Sequence, residues 1–235
     1  MPEQAAGRES PLVRFDLPAR VAVTRVDARV TCAERPFLGH INVRGDAADA
    51  RFAAAVAGVV GTAVPATPNT VAHGGDNVVC WLGPNEWLVV TPSERDGAIA
   101  HGLRAALDGV FAAVTDVSGG QTVLALRGDA VHDLLAKGCP LDLHARAFGV
   151  DRCAQSHLAK APILVRQVDE APSFEIVVRR SFADYLWTWL EDAASEYGLA
   201  VEAATSTRPA RQAQVSASDL QGSTRNWGLF RPSLK

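Results

Sequence analysis

The 235-residue sequence is notable first for what it does not contain. No run approaches the roughly 18 apolar residues that a helix needs to span a bilayer. The opening stretch, MPEQAAGRES, is polar and lacks the apolar core of a signal peptide. A cytoplasmic protein with no membrane partner is the expectation. Cysteine occurs only as Cys32, Cys80, Cys139 and Cys153, with no CxxC pair, which argues against a zinc site and for reduced, buried thiols. The six histidines show neither HxH nor HExxH spacing, so no metal is expected. Lysine is limited to Lys137, Lys160 and Lys235, and the net charge of −3 gives no reason to expect a nucleic-acid partner. There is no GxSxG elbow, no GxGxxG after a strand and no Walker loop. Without such an elbow, the HGGD stretch at His73–Asp76 reads as a glycine loop and DVSGGQ at Asp116–Gln121 as a turn between strands. No catalytic residue, cofactor-binding residue or metal ligand stands out. A chain with ample core and no catalytic constellation reads as a binding or assembly partner.

The core is there to be built: 48% of residues are apolar and 21% charged, ordinary for a globular protein. The stretch RGDA occurs twice, at Arg44–Ala47 and Arg127–Ala130. An alternating apolar segment precedes each copy, Ile41 and Val43 before the first and Val123, Leu124 and Leu126 before the second. A helical pattern follows each: Phe52, Val56 and Val59, then Val131, Leu134 and Leu135. RGDA therefore reads as a strand-to-helix turn used twice, with Asp46 and Asp129 as N-caps. The pattern continues. NVVCWLGPNEWLVV forms a hairpin around GPNE, and APILVRQV with SFEIVVRRS forms another around DEAP. A helix follows each hairpin, the first capped by Ser93 and the second by Ser181 and closed near Gly198. Further strands are expected in ARVAVTRVDARVTC, FAAVTDVS and CAQSHLAK. Trp81 and Trp87 are expected to pack on the sheet.

The fold class is α+β, with two similar α/β halves of mainly antiparallel sheet covered by helices. The expected organisation is a flexible segment over residues 1–17, a domain over 18–202 with halves of about 18–109 and 110–202, and an extended tail over 203–235. In the helix SFADYLWTWLEDA, Phe182, Tyr185, Leu186, Trp189 and Leu190 form an apolar stripe. Trp187 lies about 160° from Trp189 around a helix of 3.6 residues per turn, off that stripe. Trp187, or the tail aromatics Trp227 and Phe230, is the expected contact with a protein partner.

Several segments together, NVRGDAADARFAAAV, ATPNTVA, WLGPNEWLVV, VTDVSGGQTVLALRGDAVHDLLAKGCPLDLHARAF and VVRRSFADYLWTWLEDAA, resemble the gamma subunit of heterotetrameric sarcosine oxidase over roughly Pro18 to Val201. LGPNEWL is also similar to segments of the wider aminomethyltransferase superfamily, which includes the glycine-cleavage T-protein. The resemblance implies a fold like the folate-binding domain of aminomethyltransferases. It implies partnership with alpha, beta and delta subunits in oxidising sarcosine to glycine, with formation of hydrogen peroxide and transfer of a one-carbon unit to tetrahydrofolate. FAD, FMN, NAD and tetrahydrofolate would belong to the other subunits, with none in this chain and no catalytic residue here. A second reading is a stand-alone folate-binding or aminomethyl-transferring protein. That reading needs a pocket between the halves with an acidic residue for the pterin, and Asp116 is the candidate.

Overall fold

A computed structural model describes residues 8–21 and 27–203. Among them are eleven strands and five α-helices. β1 (Val30–Arg35) is followed by β2 (Gly39–Arg44), α2 (Ala50–Val60), β3 (Val71–Gly74), β4 (Asn77–Gly83), β5 (Glu86–Thr91), α3 (Asp96–Ala106) and β6 (Ala113–Asp116). The same succession then returns as β7 (Gln121–Arg127), α4 (Val131–Ala136), β8 (Cys153–Leu158), β9 (Ala161–Asp169), β10 (Ser173–Arg179), α5 (Arg180–Ala193) and β11 (Leu199–Val201). A short helix, α1 (Leu17–Val21), precedes them all.

The two successions build two sheets of matching order. The first runs β3-β4-β5-β2-β6 and the second β8-β9-β10-β7-β1-β11. In the first, β6 lies antiparallel on β2. In the second, β1 is inserted antiparallel to β7, and β11 runs parallel to β1, so β11 also opposes β7 in direction. The unit strand, helix, three strands, helix, strand thus occurs twice. β1 precedes the first unit in the chain yet joins the sheet of the second.

Alternation along the strands explains how the sheets stack. In β5, Trp87 and Val89 face α2 and α3 with Phe52, Val56 and Leu103. Leu88 and Val90 point the other way, into a layer shared with Val123, Leu164 and Val177 of the second sheet. In β10, Phe174, Ile176 and Val178 meet Leu134, Leu186 and Leu190 of α4 and α5. The architecture is therefore helices, sheet, sheet, helices. Both faces of each sheet are covered, which is why NVVC and WLVV read as continuous apolar runs.

Both RGDA copies stand at a strand end before a helix, but the caps differ from expectation. The N-cap of α2 is Asp49, which accepts from the Arg51 N–H at 2.8 Å. Asp46 closes an earlier turn by accepting from the Ala48 N–H. In the second copy the N-cap is Ala130 with no side-chain bond, and Asp129 is exposed and paired with Arg29. Ser93 and Ser181 are not caps either, since α3 and α5 begin after Arg95 and Arg179. The two glycines serve different ends. A Cβ at Gly128 (φ +123°) would lie 2.2 Å from the Arg29 carbonyl oxygen, and one at Gly45 would lie 2.2 Å from the Phe52 ring.

Arg8 to Leu17 is not the loose leader expected over residues 1–17. Leu12 and Leu17 are buried in the core of the second sheet beneath α5.

Candidate functional site

Trp187, the expected surface anchor, is instead fully buried. The true inner stripe of α5 is Ala183, Leu186, Trp187, Leu190 and Ala193, at helical spacing. Its indole lies 6.0 Å from the Phe15 ring, centroid to centroid, with the Arg20 guanidinium over it. The N-terminal segment thus covers one flank of α5. Trp189, on the other flank, is partly buried and packs closely on Gly138. Both tryptophans fit because the helix lies in a trough with walls on two sides. Trp227 and Phe230 lie outside the described residues.

Asp116 ends the edge strand β6 and is exposed. Its carboxylate accepts from the Ser118 N–H at 2.9 Å and the Ser118 hydroxyl at 2.5 Å. It shapes the turn that carries the chain from the first sheet to the second, and it borders a cavity of about 410 Å³ with Arg8, Asp96 and Arg180. His73 and Asp76 of HGGD sit at the β3–β4 hairpin, and the His73 Nε2 lies 2.6 Å from Asp151.

The chemistry-bearing groups gather instead in the seam between the sheets. Glu175, on the seam side of β10, is buried and receives two arginines. Arg35 Nη1 donates to one carboxylate oxygen at 2.8 Å, and Arg166 Nε donates to the other at 2.8 Å, joined by Arg166 Nη2. All three side chains are at most 4% exposed. Burial lowers the Arg35 pKa, with Glu175 opposing. For Arg166 burial also pulls down, but Glu175 and its hydrogen bonds outweigh it and the pKa rises. Within this trio two guanidiniums face one carboxylate.

His40 shares this layer, because Ile41 and Val43 occupy the helix-facing side of β2. Its ring is fully buried and neither nitrogen has a hydrogen-bond partner of good geometry. Burial pushes its pKa down to about 4, with the Leu38 backbone and Glu175 pulling weakly the other way. The Cys153 thiol donates to the Thr70 and Trp81 carbonyls at 3.3 and 3.6 Å, and its closeness to Cys80 across the seam raises the Cys80 pKa and lowers that of Cys153. All four cysteines are free and buried. Among the described residues, no group of three or more His, Cys, Asp or Glu side chains is placed to hold a metal ion.

At one end the seam opens into a cavity of about 500 Å³. Its floor is Leu88, Val117, Leu164 and Val177, and its rim includes Asn42, Arg44, Glu86, Gln121, Gln155 and Arg179. Glu86 is already engaged, accepting from Asn42 Nδ2 at 2.7 Å and ion-paired with Arg44 at 2.9 Å. None of Arg35, His40, Glu175, Arg179 or Gln121 was singled out from the sequence. Each sits on a strand whose polar positions read as solvent-facing, and only the second sheet turns them inward.

Comparison with known proteins follows the same outline. Residues 44–196 match the model of the family described as sarcosine oxidase, gamma subunit family. The sarcosine oxidase subunit gamma of Corynebacterium sp. (strain U-96) is 35% identical over 196 residues, 82% of this chain and 93% of that protein. That of an Arthrobacter species is 37% identical over 169 residues, 72% of this chain and 81% of that protein. Among solved structures, a chain of the heterotetrameric sarcosine oxidase from Corynebacterium sp. U-96 aligns with a TM-score of 0.72 and 35% identity, covering 81% of this chain and 96% of that chain. The glycine cleavage system aminomethyltransferase T of Bartonella henselae shares the fold, with a TM-score of 0.53 at 15% identity over 80% of this chain and 50% of that one.

Proposed function

The chain belongs to the sarcosine oxidase gamma subunit family, and from that premise we propose that it is a non-catalytic subunit of a heterotetrameric sarcosine oxidase. Its partners are the alpha, beta and delta subunits, in the cytoplasm. The observation that carries the reading is the match to a chain of a solved heterotetrameric oxidase over 96% of that chain's length. The role is to stabilise the subunits that carry FAD, FMN and NAD and that oxidise sarcosine to glycine. In that reaction oxygen is reduced to hydrogen peroxide, and the one-carbon unit passes to tetrahydrofolate held by the alpha subunit.

The interior chemistry supports this division of labour. A folate-binding protein needs an acid free to accept from the pterin amino groups. The acid at the centre of the seam, Glu175, has both oxygens occupied by arginine. Glu86, in the open cavity, is held by Asn42 and Arg44, and Asp116, which holds its own turn through Oδ1, does not line that cavity. The acids of the seam are already engaged by this chain's own side chains, which favours the subunit over the stand-alone folate protein.

The test is purification of the chain alone, followed by its visible spectrum and an assay for peroxide from sarcosine. The expected sample is colourless and inactive. A flavin absorbance band with turnover would overturn the subunit reading.

A further inference from the structure

Each sheet has two edges, and an edge left open offers unpaired backbone N–H and C=O groups to any other extended chain. Three of the four edges are engaged by this chain. β3 and β8 meet through the bridge between Thr70 and Arg152, where the Val71 N–H donates to the Asp151 carbonyl and the Cys153 N–H to that of Asn69. Helix α1 lies against β11. β6 is different. The Val117 N–H donates to the His40 carbonyl, which fixes the alternation along the strand. Ala113 and Thr115 therefore bond to β2, whereas Val114 and Asp116 turn their N–H and C=O groups outward. Of these four outward groups only the Val114 carbonyl has a partner among the described residues, Arg104 Nη2 at 3.4 Å. β6 carries no lysine, no proline and no bulge. Phe111, just ahead of it, is the most exposed large apolar side chain among the described residues.

We propose that β6 is a docking edge, to which an extended segment of another subunit adds as a further strand while Phe111 packs against that subunit. The inference rests on the subunit reading above. Backbone donors and acceptors in strand register are matched by another extended backbone. The fold already accepts an added strand at the matching place. In the second sheet β1, from outside the repeat, pairs with β7, on the side where β6 lies beside β2 in the first. Phe111 supplies what a four-residue edge lacks, since a large aromatic buried at an interface carries a large share of its energy. Two copies joined only through such short strands would bury far less than the roughly 1,200 Å² of a stable association. The occupant is therefore a segment of a partner that this chain also meets elsewhere. On the seam side the added strand lies beside Thr115, at the rim of the cavity of about 500 Å³.

The experiment compares the full-length chain alone with the complex formed when it is co-produced with the alpha, beta and delta subunits. Amide hydrogen exchange is followed by mass spectrometry, resolved to Val114 and Asp116 by fragmentation. Both amides should exchange about tenfold or more slowly in the complex than in the free chain. Phe111→Ala should weaken retention of this chain in the complex about thirtyfold, as the loss of an interface anchor does. Its melting curve should be that of wild type, because the exposed ring supports none of the chain's own core. Val114→Pro removes an outward N–H where an edge strand tolerates proline, and Val114→Ala shortens the same side chain but keeps the N–H. The proline variant should bind about fivefold more weakly than the alanine variant, the worth of one hydrogen bond. The docking edge is overturned if the complex forms while both amides exchange as in the free chain, or if Phe111→Ala assembles as tightly as wild type. Protection already present in the free chain also overturns it. If independent of concentration, it gives the edge to a segment of this chain such as residues 204–235; if it rises with concentration, to a second copy. If the wild-type chain forms no complex with the three subunits, the subunit reading fails and the docking edge with it.

Discussion

His40 makes the stability of this protein depend on pH in a window where few other side chains act. The unfolded imidazole titrates near 6.5, whereas burial holds the folded one near 4. The folded state therefore prefers neutral His40, and between these values the unfolded chain binds more protons. Stability contributed by this group is present in full above about pH 6.5 and is lost as the pH falls toward 4. At about 1.4 kcal/mol per unit, a fall from pH 8 to pH 4.5 removes about 2.5 kcal/mol. Carboxylates titrate in part of this range, so the measurement must be a difference. Urea unfolding of wild type and of His40→Leu at steps between pH 8 and pH 4.5 isolates the imidazole, because every other group is common to both. The wild type should lose about 2.5 kcal/mol more than the variant over that span. Parallel stability curves would refute the reasoning, since they would mean that His40 is as readily protonated folded as unfolded.

Other perturbations read other layers. Trp187→Ala removes a fully buried indole between α5 and the N-terminal segment, and should cost about 3–5 kcal/mol in urea unfolding, a core effect. Glu175→Gln leaves two buried guanidiniums without their counter-charge and should cost about 3–5 kcal/mol by the same assay. Replacing Arg35, Arg166 and Glu175 together by apolar residues of similar volume should cost far less than Glu175→Gln alone. Asp49→Ala should cost about 1 kcal/mol through the lost cap of α2, whereas Asp129→Ala should leave the thermal midpoint unchanged.

The repeat was legible because its signals are local. An alternating strand, a glycine and a helical run recur around Arg44–Ala47 and Arg127–Ala130, and no distant contact is needed to see them. The caps were misplaced by local competition. Asp46 and Asp49 both follow the strand, and the turn made by Asp46 delays the helix by three residues. Trp187 was misread because the residues that define its face include Ala183 and Ala193, which carry little apolar signal although they are buried. The seam was illegible for a different reason. Glu175 in SFEIVV and Arg35 in TCAER stand at positions that would face water in a sheet covered on one side only. Here a second sheet lies on that face, and the pairing that buries them joins residues 140 apart in sequence. The transfer of β1 to the second sheet is likewise a long-range fact, since nothing near residues 30–35 specifies Val123–Arg127 as their partner.

Assembly is the claim on which the account rests. The most direct measurement is the native mass and subunit composition of the particle containing this chain, isolated from its own cells by a removable tag and resolved by native mass spectrometry. The account predicts one copy of this chain with three different polypeptides, flavin absorbance, and peroxide formation that requires sarcosine. Recovery of the chain as a lone species, from cells that make the sarcosine-oxidising flavoprotein without it, would contradict the account.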